Sequence, residues 1–468
     1  MIDVEAQKQF RDIVGKERFS TAREDLVCYS YDAANLPYLP DAVIFPLSEA
    51  EVVEIIKTAF RYNIPVFPRG AGSGFTGGSL PVKGGLVVCM AKMDRIINID
   101  EDNLTVEVEP GVITEKLQQA VEKKGLFYPP DPASLKFSTI GGNIAECSGG
   151  PRAAKYGVTR DYLLSVNIVT PPGIVIKSGA KTAKSVVGFD LTRLIAGSEG
   201  TLGIITKATL KLIPMPEQRQ CILALFKSIR DAATTVSELT AARIIPSTLE
   251  FMDYTCIKTV SNYLNLGIPD ECKALLLIEV DGSKEDVASK SRKAEEICRR
   301  KNPVDIRTAS TNEEMEKLWT VRRGVSSAIG RLSKTKINED ITVPRNKIPD
   351  ILDEVYKIAD KYRLSIICFG HAGDGNIHTN IMTDRENKEE MGRVEKAVEE
   401  IFAATLKAGG TISGEHGIGI TKSPYISMEL NQEYLNLMWR VKKSFDPTEI
   451  MNPGKVFPPD FVYTPFLV

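Results

Sequence analysis

The chain has 468 residues, 43% of them hydrophobic and 26% charged, and Lys+Arg 59 against Asp+Glu 61 leaves a net charge of −2. That length exceeds one ordinary core and predicts two or three domains, while the balanced charge, with no basic block, excludes an electrostatic nucleic-acid footprint. No apolar run approaches the ~20 residues that cross a bilayer, and the start Met1-Ile-Asp-Val-Glu-Ala-Gln-Lys lacks the order of a secretory signal, so a cytoplasmic protein without a transmembrane segment is expected.

In chain order, Ala42-Val-Ile-Phe-Pro46 reads as a strand, Ser48-Glu-Ala-Glu51 as a capping box opening a helix through Phe60, and Pro65-Val-Phe-Pro68 as a second strand. The loop Arg69-Gly70-Ala71-Gly72-Ser73-Gly74-Phe-Thr-Gly77-Gly78 follows. Gly72, Gly74 and Gly77 match G-x-G-x-x-G, but the loop runs toward the apolar strand Leu86–Met90 and opens no helix, which disfavours a Rossmann-type NAD site. A strand feeding a glycine-dense loop still forms a nest of backbone N–H groups suited to a pyrophosphate. A helix from Ile113 stops at Gly125. Pro129–Ser134, Ser138–Gly150, Gly188–Leu191 and Gly197–Ile205 are rich in small residues that let backbone approach a large flat ligand.

Composition shifts after Pro214. From Cys221 to Lys301 the pattern is strand, helix, strand, strand (Ala274–Val280) and a charged helix from Lys284 to Arg300, an α+β module. Helices around Glu313–Ser333 and Lys347–Tyr362 flank a strand at Thr342-Val343. Ser365–Phe369 leads into Gly370-His371-Ala-Gly-Asp374-Gly-Asn376-Ile-His378 and a strand through Met382, and a helix from Lys388 to Ala408 precedes Ser413-Gly-Glu415-His416-Gly417.

These two segments hold all three histidines of the chain. A hairpin about Ala-Gly-Asp-Gly-Asn-Ile brings His371 and His378 to one side, and Glu415 supplies a third ligand for a catalytic divalent metal with an open position. His416 is then left as a base. The eight cysteines contain no C-x-x-C pair and are expected to be buried small hydrophobes, so an iron–sulfur cluster held by this chain alone is disfavoured and the electron acceptor is external.

Taken together, Pro68-Arg-Gly-Ala-Gly-Ser-Gly, Pro130-Asp-Pro-Ala-Ser, Ile140-Gly-Gly-Asn, Gly197-Ser-Glu-Gly-Thr-Leu-Gly, His371 to His378, Gly414-Glu-His-Gly and Asn452-Pro-Gly-Lys455 resemble the flavin dehydrogenases of D-2-hydroxy acids, of the vanillyl-alcohol-oxidase-like flavin fold. The resemblance covers nearly the whole chain. It implies an α+β fold: a two-subdomain FAD-binding domain over 1–214, an α+β substrate or cap domain over 215–410 carrying the metal-site histidines, and a segment 411–468 that returns to complete the active site and the FAD domain. It implies non-covalent FAD held by Pro68, Arg69, Gly70, Ala71, Gly72, Ser73, Gly74, Pro132, Ser134, Gly141, Gly142, Asn143, Ser148, Gly149, Tyr156, Gly157, Glu199, Gly200, Gly203, Ile204, Ile205 and Asn452. It likewise makes His371, His378 and Glu415 ligands of a divalent metal (Zn, Fe or Mn), His416 the base, Asn380 a substrate contact, and Arg322, with Ser326 one turn on, the clamp for the substrate carboxylate.

The expected activity is oxidation of a small D-2-hydroxy acid, D-lactate foremost, with electrons passed to an electron-transfer flavoprotein or an iron–sulfur subunit. Glycolate and D-2-hydroxyglutarate are the alternatives. Asn338 stands where the hydroxyglutarate enzymes place a lysine, with Lys336 nearby, which weighs against a dicarboxylate. Outside that reading stand a non-catalytic flavin-carrying electron-transfer subunit, a metal-dependent hydrolase, and an aldonolactone or sugar-alcohol oxidase, which gives no reason for two metal-ligand histidines.

Overall fold

The computed structural model describes residues 2–264 and 267–464. The chain divides into two compact units, the first drawn from Met1–Gly149, Val158–Met215 and Glu415–Val468, the second from Gly150–Gly157 and Pro216–Gly414.

In the first unit β1 (Phe19–Ser20), β2 (Ala42–Ile44), β3 (Val66–Arg69) and β4 (Leu86–Cys89) form a sheet in the order β1-β2-β4-β3, with β4 parallel to both β2 and β3. Parallel strands are covered on both faces and read as unbroken apolar runs. Ala42, Ile44, Val66, Leu86 and Val88 pack on one side with the helices Val4–Val14 and Glu49–Arg61, while Val43, Phe67, Val87 and Cys89 pack on the other with Leu26 and Tyr29.

Ser48 caps the helix Glu49–Arg61 as its sequence predicts, its Oγ accepting the Glu51 amide at 3.2 Å. The box does not close reciprocally, because Glu51 accepts from Leu47 N at 2.8 Å and forms a two-point pair with Arg18 at 2.6 and 2.8 Å.

An antiparallel sheet joins β5 (Ile96–Asp100), β6 (Thr105–Val108), β8 (Leu163–Thr170), β9 (Ile174–Gly179) and β10 (Ile204–Lys211) in the order β5-β6-β10-β8-β9, and β7 (Leu126–Phe127) pairs with β11 (Ile213–Pro214). Residues Ile140–Glu146, in a segment whose sequence is notable only for its small residues, form a short helix. Thr139 caps it by accepting the Gly142 amide at 3.3 Å, so the local cap outweighs the helix-weakening glycines.

The second unit is built on an antiparallel sheet of β12 (Gln218–Phe226), β13 (Thr248–Asp253), β14 (Ala274–Gly282), β15 (Asp305–Ala309), β16 (Thr335–Thr342), β17 (Ser365–His371) and β18 (Asn376–Thr383), in the order β15-β12-β14-β13-β17-β18-β16 among the described residues. Helices Tyr254–Leu264 and Asn312–Ile329 pack on one face through Cys256, Ile257, Val260, Val321, Val325 and Ile329 against Leu223, Leu225, Leu275, Leu277 and Ile367. The strand expected around Thr342-Val343 is longer and earlier, because Thr335–Thr342 pairs along its whole length with β18. Among the described residues no helix is long and apolar enough to cross a membrane.

Candidate functional site

In the first unit the loop after β3, the segment around the helix Ile140–Glu146, and the strand start at Gly203 face one cleft. Its lining includes Pro68, Arg69, Gly70, Ala71, Gly72, Ser73, Gly74, Pro132, Ser134, Gly141, Gly142, Asn143, Ser148, Gly149, Glu199, Gly200, Gly203, Ile204 and Ile205, together with Glu415 and His416. Three other expected cofactor residues do not line it. Tyr156 and Gly157 belong to the second unit, where the Tyr156 hydroxyl donates to Asp281 at 2.8 Å. Asn452 acts from behind, its amide donating to Gly78 O at 2.8 Å and Glu199 O at 2.6 Å.

The cleft walls are close to backbone because side chains are missing where two segments meet. A Cβ on Gly70 would lie 2.2 Å from Thr139 Oγ1. Gly72 has φ +68°, and a Cβ there would lie 2.2 Å from the Arg69 guanidinium, which Tyr31 O holds at 2.8 Å. Arg69 therefore props the loop from beneath, and the loop needs glycine for both its backbone angle and its clearance. This glycine-lined cradle, wide enough for a large flat ligand, fits FAD.

Charge is concentrated at one wall. Glu199, in a left-handed conformation at φ 51°, accepts the Ile418 and Gly419 amides, each at 2.7 Å, and so docks the chain just after His416. Burial, then the neighbouring Glu199 and Asp32, push the Glu146 carboxyl well above its ordinary range. Its Oε2 has no hydrogen-bond partner among the described residues, an orphaned polar atom in the lining of a ligand cleft. Burial depresses Lys455 to about 7. The His416 ring lies 5.0 Å from that of Phe75, and its carbonyl accepts from Thr76 Oγ1 at 3.1 Å.

In the second unit, strand alternation collects the other expected residues. Register pairs Glu250 with His371 and Met252 with Phe369, while His378 stands opposite both Phe369 and Asp340, and Asn380 opposite both Ile367 and Asn338. The tight turn between β17 and β18 therefore puts His371 and His378 on one face, rings perpendicular with centroids 5.2 Å apart. Both are buried, at 3% and 4% exposure, which suits neutral imidazole ligands. Two imidazoles on one face are a donor set that a divalent metal can use.

Arg322, also buried, reaches this face from the helix Asn312–Ile329 and lies over Phe369 with its guanidinium carbon 4.8 Å from the ring centroid. Its Nε is bound to Glu250 Oε2 at 2.5 Å, and among the described residues its two Nη groups carry no hydrogen bond. Ser326 accepts from Lys336 at 2.9 Å. The Asn380 amide donates to His378 O and Ile367 O at 3.1 and 3.3 Å, leaving its buried Oδ1 without a donor among the described residues.

Two residues here escape sequence reading. Glu250 is fully buried and also meets His371 Nδ1, through Oε1 at 2.6 Å. Burial alone would raise its pKa, but His371 and Arg322 outweigh that and hold it below the ordinary carboxylate range. The only sequence signal was an acidic residue flanked by Leu249 and Phe251. Asp340, 0% exposed, accepts the Gly414 amide at 2.9 Å and fixes the chain one residue before Glu415.

Comparison with known proteins matches residues 215–456 to the C-terminal domain of FAD-linked oxidases and residues 40–179 to an FAD-binding domain. The chain is 48% identical to glycolate oxidase subunit GlcD of Bacillus subtilis (strain 168), covering 98% of each. It is 36% identical to a D-lactate dehydrogenase of Anaerostipes hadrus, covering 89% of each. Its fold matches that of p-cresol methylhydroxylase, solved with substrate bound, at a TM-score of 0.80 and 17% identity over 96% of each chain. The fold is thus that of the vanillyl-alcohol-oxidase-like flavoproteins, and the chain belongs to the FAD-linked oxidases.

Proposed function

We propose that the protein oxidises a small D-2-hydroxy acid, D-lactate foremost, to the 2-oxo acid. The observation that carries this reading is Arg322: a buried guanidinium with Nε engaged and both Nη groups without a partner among the described residues, beside two histidines set as a ligand pair. A planar two-point donor of that kind suits a carboxylate, and metal ligands beside it suit the adjacent hydroxyl oxygen. Bound FAD supplies a hydride acceptor, and a divalent cation lowers the pKa of that hydroxyl.

The chain's own residues do the rest. His371, His378 and Glu415 hold the cation. Arg322 orients the carboxylate and so selects the face of Cα presented for hydride loss, a positioning effect that contributes about 7–11 kcal/mol where geometry is ideal. His416 takes the hydroxyl proton onto its imidazole. Asn380 Oδ1, buried without a donor among the described residues, meets a polar group of the substrate. Electrons then leave for a second redox protein, an electron-transfer flavoprotein or an iron–sulfur subunit, a reading supported by the relative described as a subunit.

Glycolate is the second reading, favoured by the 48% identity to a glycolate oxidase subunit. The test is anaerobic titration of the purified yellow protein with D-lactate, L-lactate, glycolate and D-2-hydroxyglutarate, following the flavin bands. Bleaching by D-lactate at the lowest concentration, abolished by chelation, is expected. Preferential bleaching by glycolate would replace the substrate, and a yellow protein that no hydroxy acid bleaches would overturn the enzymatic reading.

A further inference from the structure

Glu250 is assigned no part in the chemistry above, yet it touches two of its principal side chains. We propose that Glu250 is a positioning residue that fixes the tautomer of His371 and the orientation of Arg322 with a single carboxylate, so that metal affinity and substrate-carboxylate binding share one support. This rests on the metal-site reading given under Proposed function.

The geometry supports it at each contact. Oε2 accepts from Arg322 Nε at 2.5 Å and Oε1 lies 2.6 Å from His371 Nδ1. A carboxylate held against a permanently charged guanidinium is acceptor-only, so the His371 proton must sit on Nδ1 and the lone pair on Nε2. Carboxylates that receive the second N–H of a ligating histidine orient the ring and raise its basicity, and losing one typically costs 10–100-fold in metal affinity. Engaging Arg322 through Nε turns the Nη pair outward as a fork.

Glu250 is fully buried on β13, between Leu277 of β14 and His371 of β17 in the sheet register. A glutamine there keeps the shape but supplies one acceptor and one donor where two donors converge. It must therefore release Arg322, or turn its NH2 toward His371 and leave Nδ1 as the acceptor, which moves the ring proton to Nε2 and takes that lone pair away from the metal.

The experiment compares wild type, Glu250→Gln and Arg322→Met, each carrying FAD and stripped of metal, by titration with Zn²⁺ against a competing indicator. We expect Zn²⁺ affinity to fall 10–100-fold in Glu250→Gln and less than about 3-fold in Arg322→Met, with KM for the hydroxy acid raised in both. Unchanged Zn²⁺ affinity in a folded Glu250→Gln variant overturns the proposal and leaves the metal site standing. A wild type that binds no Zn²⁺ overturns both.

A second measurement reads the wild type itself, a variant serving only to identify the signal. The chain has only three histidines, so the ¹⁵N-histidine spectrum of metal-free wild type, with His371→Asn to identify the signal, reads the tautomer directly. Protonation of His371 at Nδ1 is expected; a neutral ring protonated at Nε2 overturns the proposal.

Discussion

Asp340 accepts the Gly414 amide at 2.9 Å while standing directly opposite His378 in the sheet. One buried carboxylate thus ties the end of the second unit to the strand pair that carries the histidines. Gly414 has no room for a side chain there: a Cβ would lie 1.9 Å from Asn376 Nδ2 and 2.3 Å from Thr342 Oγ1.

Gly414→Ala is therefore expected to destabilise by about 1–3 kcal/mol through overpacking and to lower metal retention. Thermal melting and metal analysis of the dialysed protein check this. A melting temperature and metal content equal to wild type would show that the contact yields without consequence.

Arg322→Lys keeps the charge but loses the fork. A misplacement of roughly 1 Å at such a site costs about 10²-fold, so kcat/KM should fall by about that factor while the flavin-to-protein absorbance ratio stays unchanged. Steady-state kinetics with D-lactate and glycolate measure it. An unaltered kcat/KM for both would take Arg322 out of the substrate site.

Asp32 is 5% exposed, with Oδ2 lacking a hydrogen-bond partner among the described residues, and burial pushes its carboxyl up to about 6 against partial relief from Arg69 and Lys455. A carboxyl raised in the folded state contributes full stability below its ordinary pKa, and that stability is lost as pH rises through 6, a cost on the order of 3 kcal/mol. Asp32→Asn should raise the melting temperature by several degrees at pH 8, with the gain vanishing near pH 4. A gain of equal size at both pH values would mean that ionisation is not its source.

Lys442 is buried, donates to Thr201 O at 2.7 Å and Met451 O at 2.8 Å, and pairs with the fully buried Asp446. Lys442→Met leaves that carboxylate uncompensated and should cost about 3–5 kcal/mol, read by urea unfolding. Because Thr201 adjoins the cleft residue Gly200, weaker flavin retention should accompany the loss.

Features legible in the sequence were those whose signal is local. The glycine loop after β3, the turn between His371 and His378, and the helices Lys388–Lys407 and Ile348–Tyr362 announce themselves by spacing and turn chemistry. Tyr254–Leu264, a helix that the strand, helix, strand, strand pattern passed over, shows the opposite case: its threonine-, valine- and tyrosine-bearing sequence carries no strong helix signal until Cys256, Ile257 and Val260 find an apolar face to cover. Glu250 lay beyond reach because its meaning depends on Arg322 and His371, 72 and 121 positions away. Tyr156 could not be assigned to either unit from its neighbours, since Gly150–Gly157 sits in the second unit while the residues flanking it sit in the first.

The outer edge of β3 is closed by residues from far along the chain: Val66 N donates to Ile450 O at 2.7 Å and Asn452 N donates to Val66 O at 2.8 Å. During synthesis this edge therefore waits, with its backbone unpaired, until residue 452 has emerged from the ribosome. The second unit, contiguous except for Gly150–Gly157, has by then been fully translated. The first unit is thus completed only after the second has been made, and the nascent chain carries an open strand edge, a template for unwanted pairing, for most of its translation.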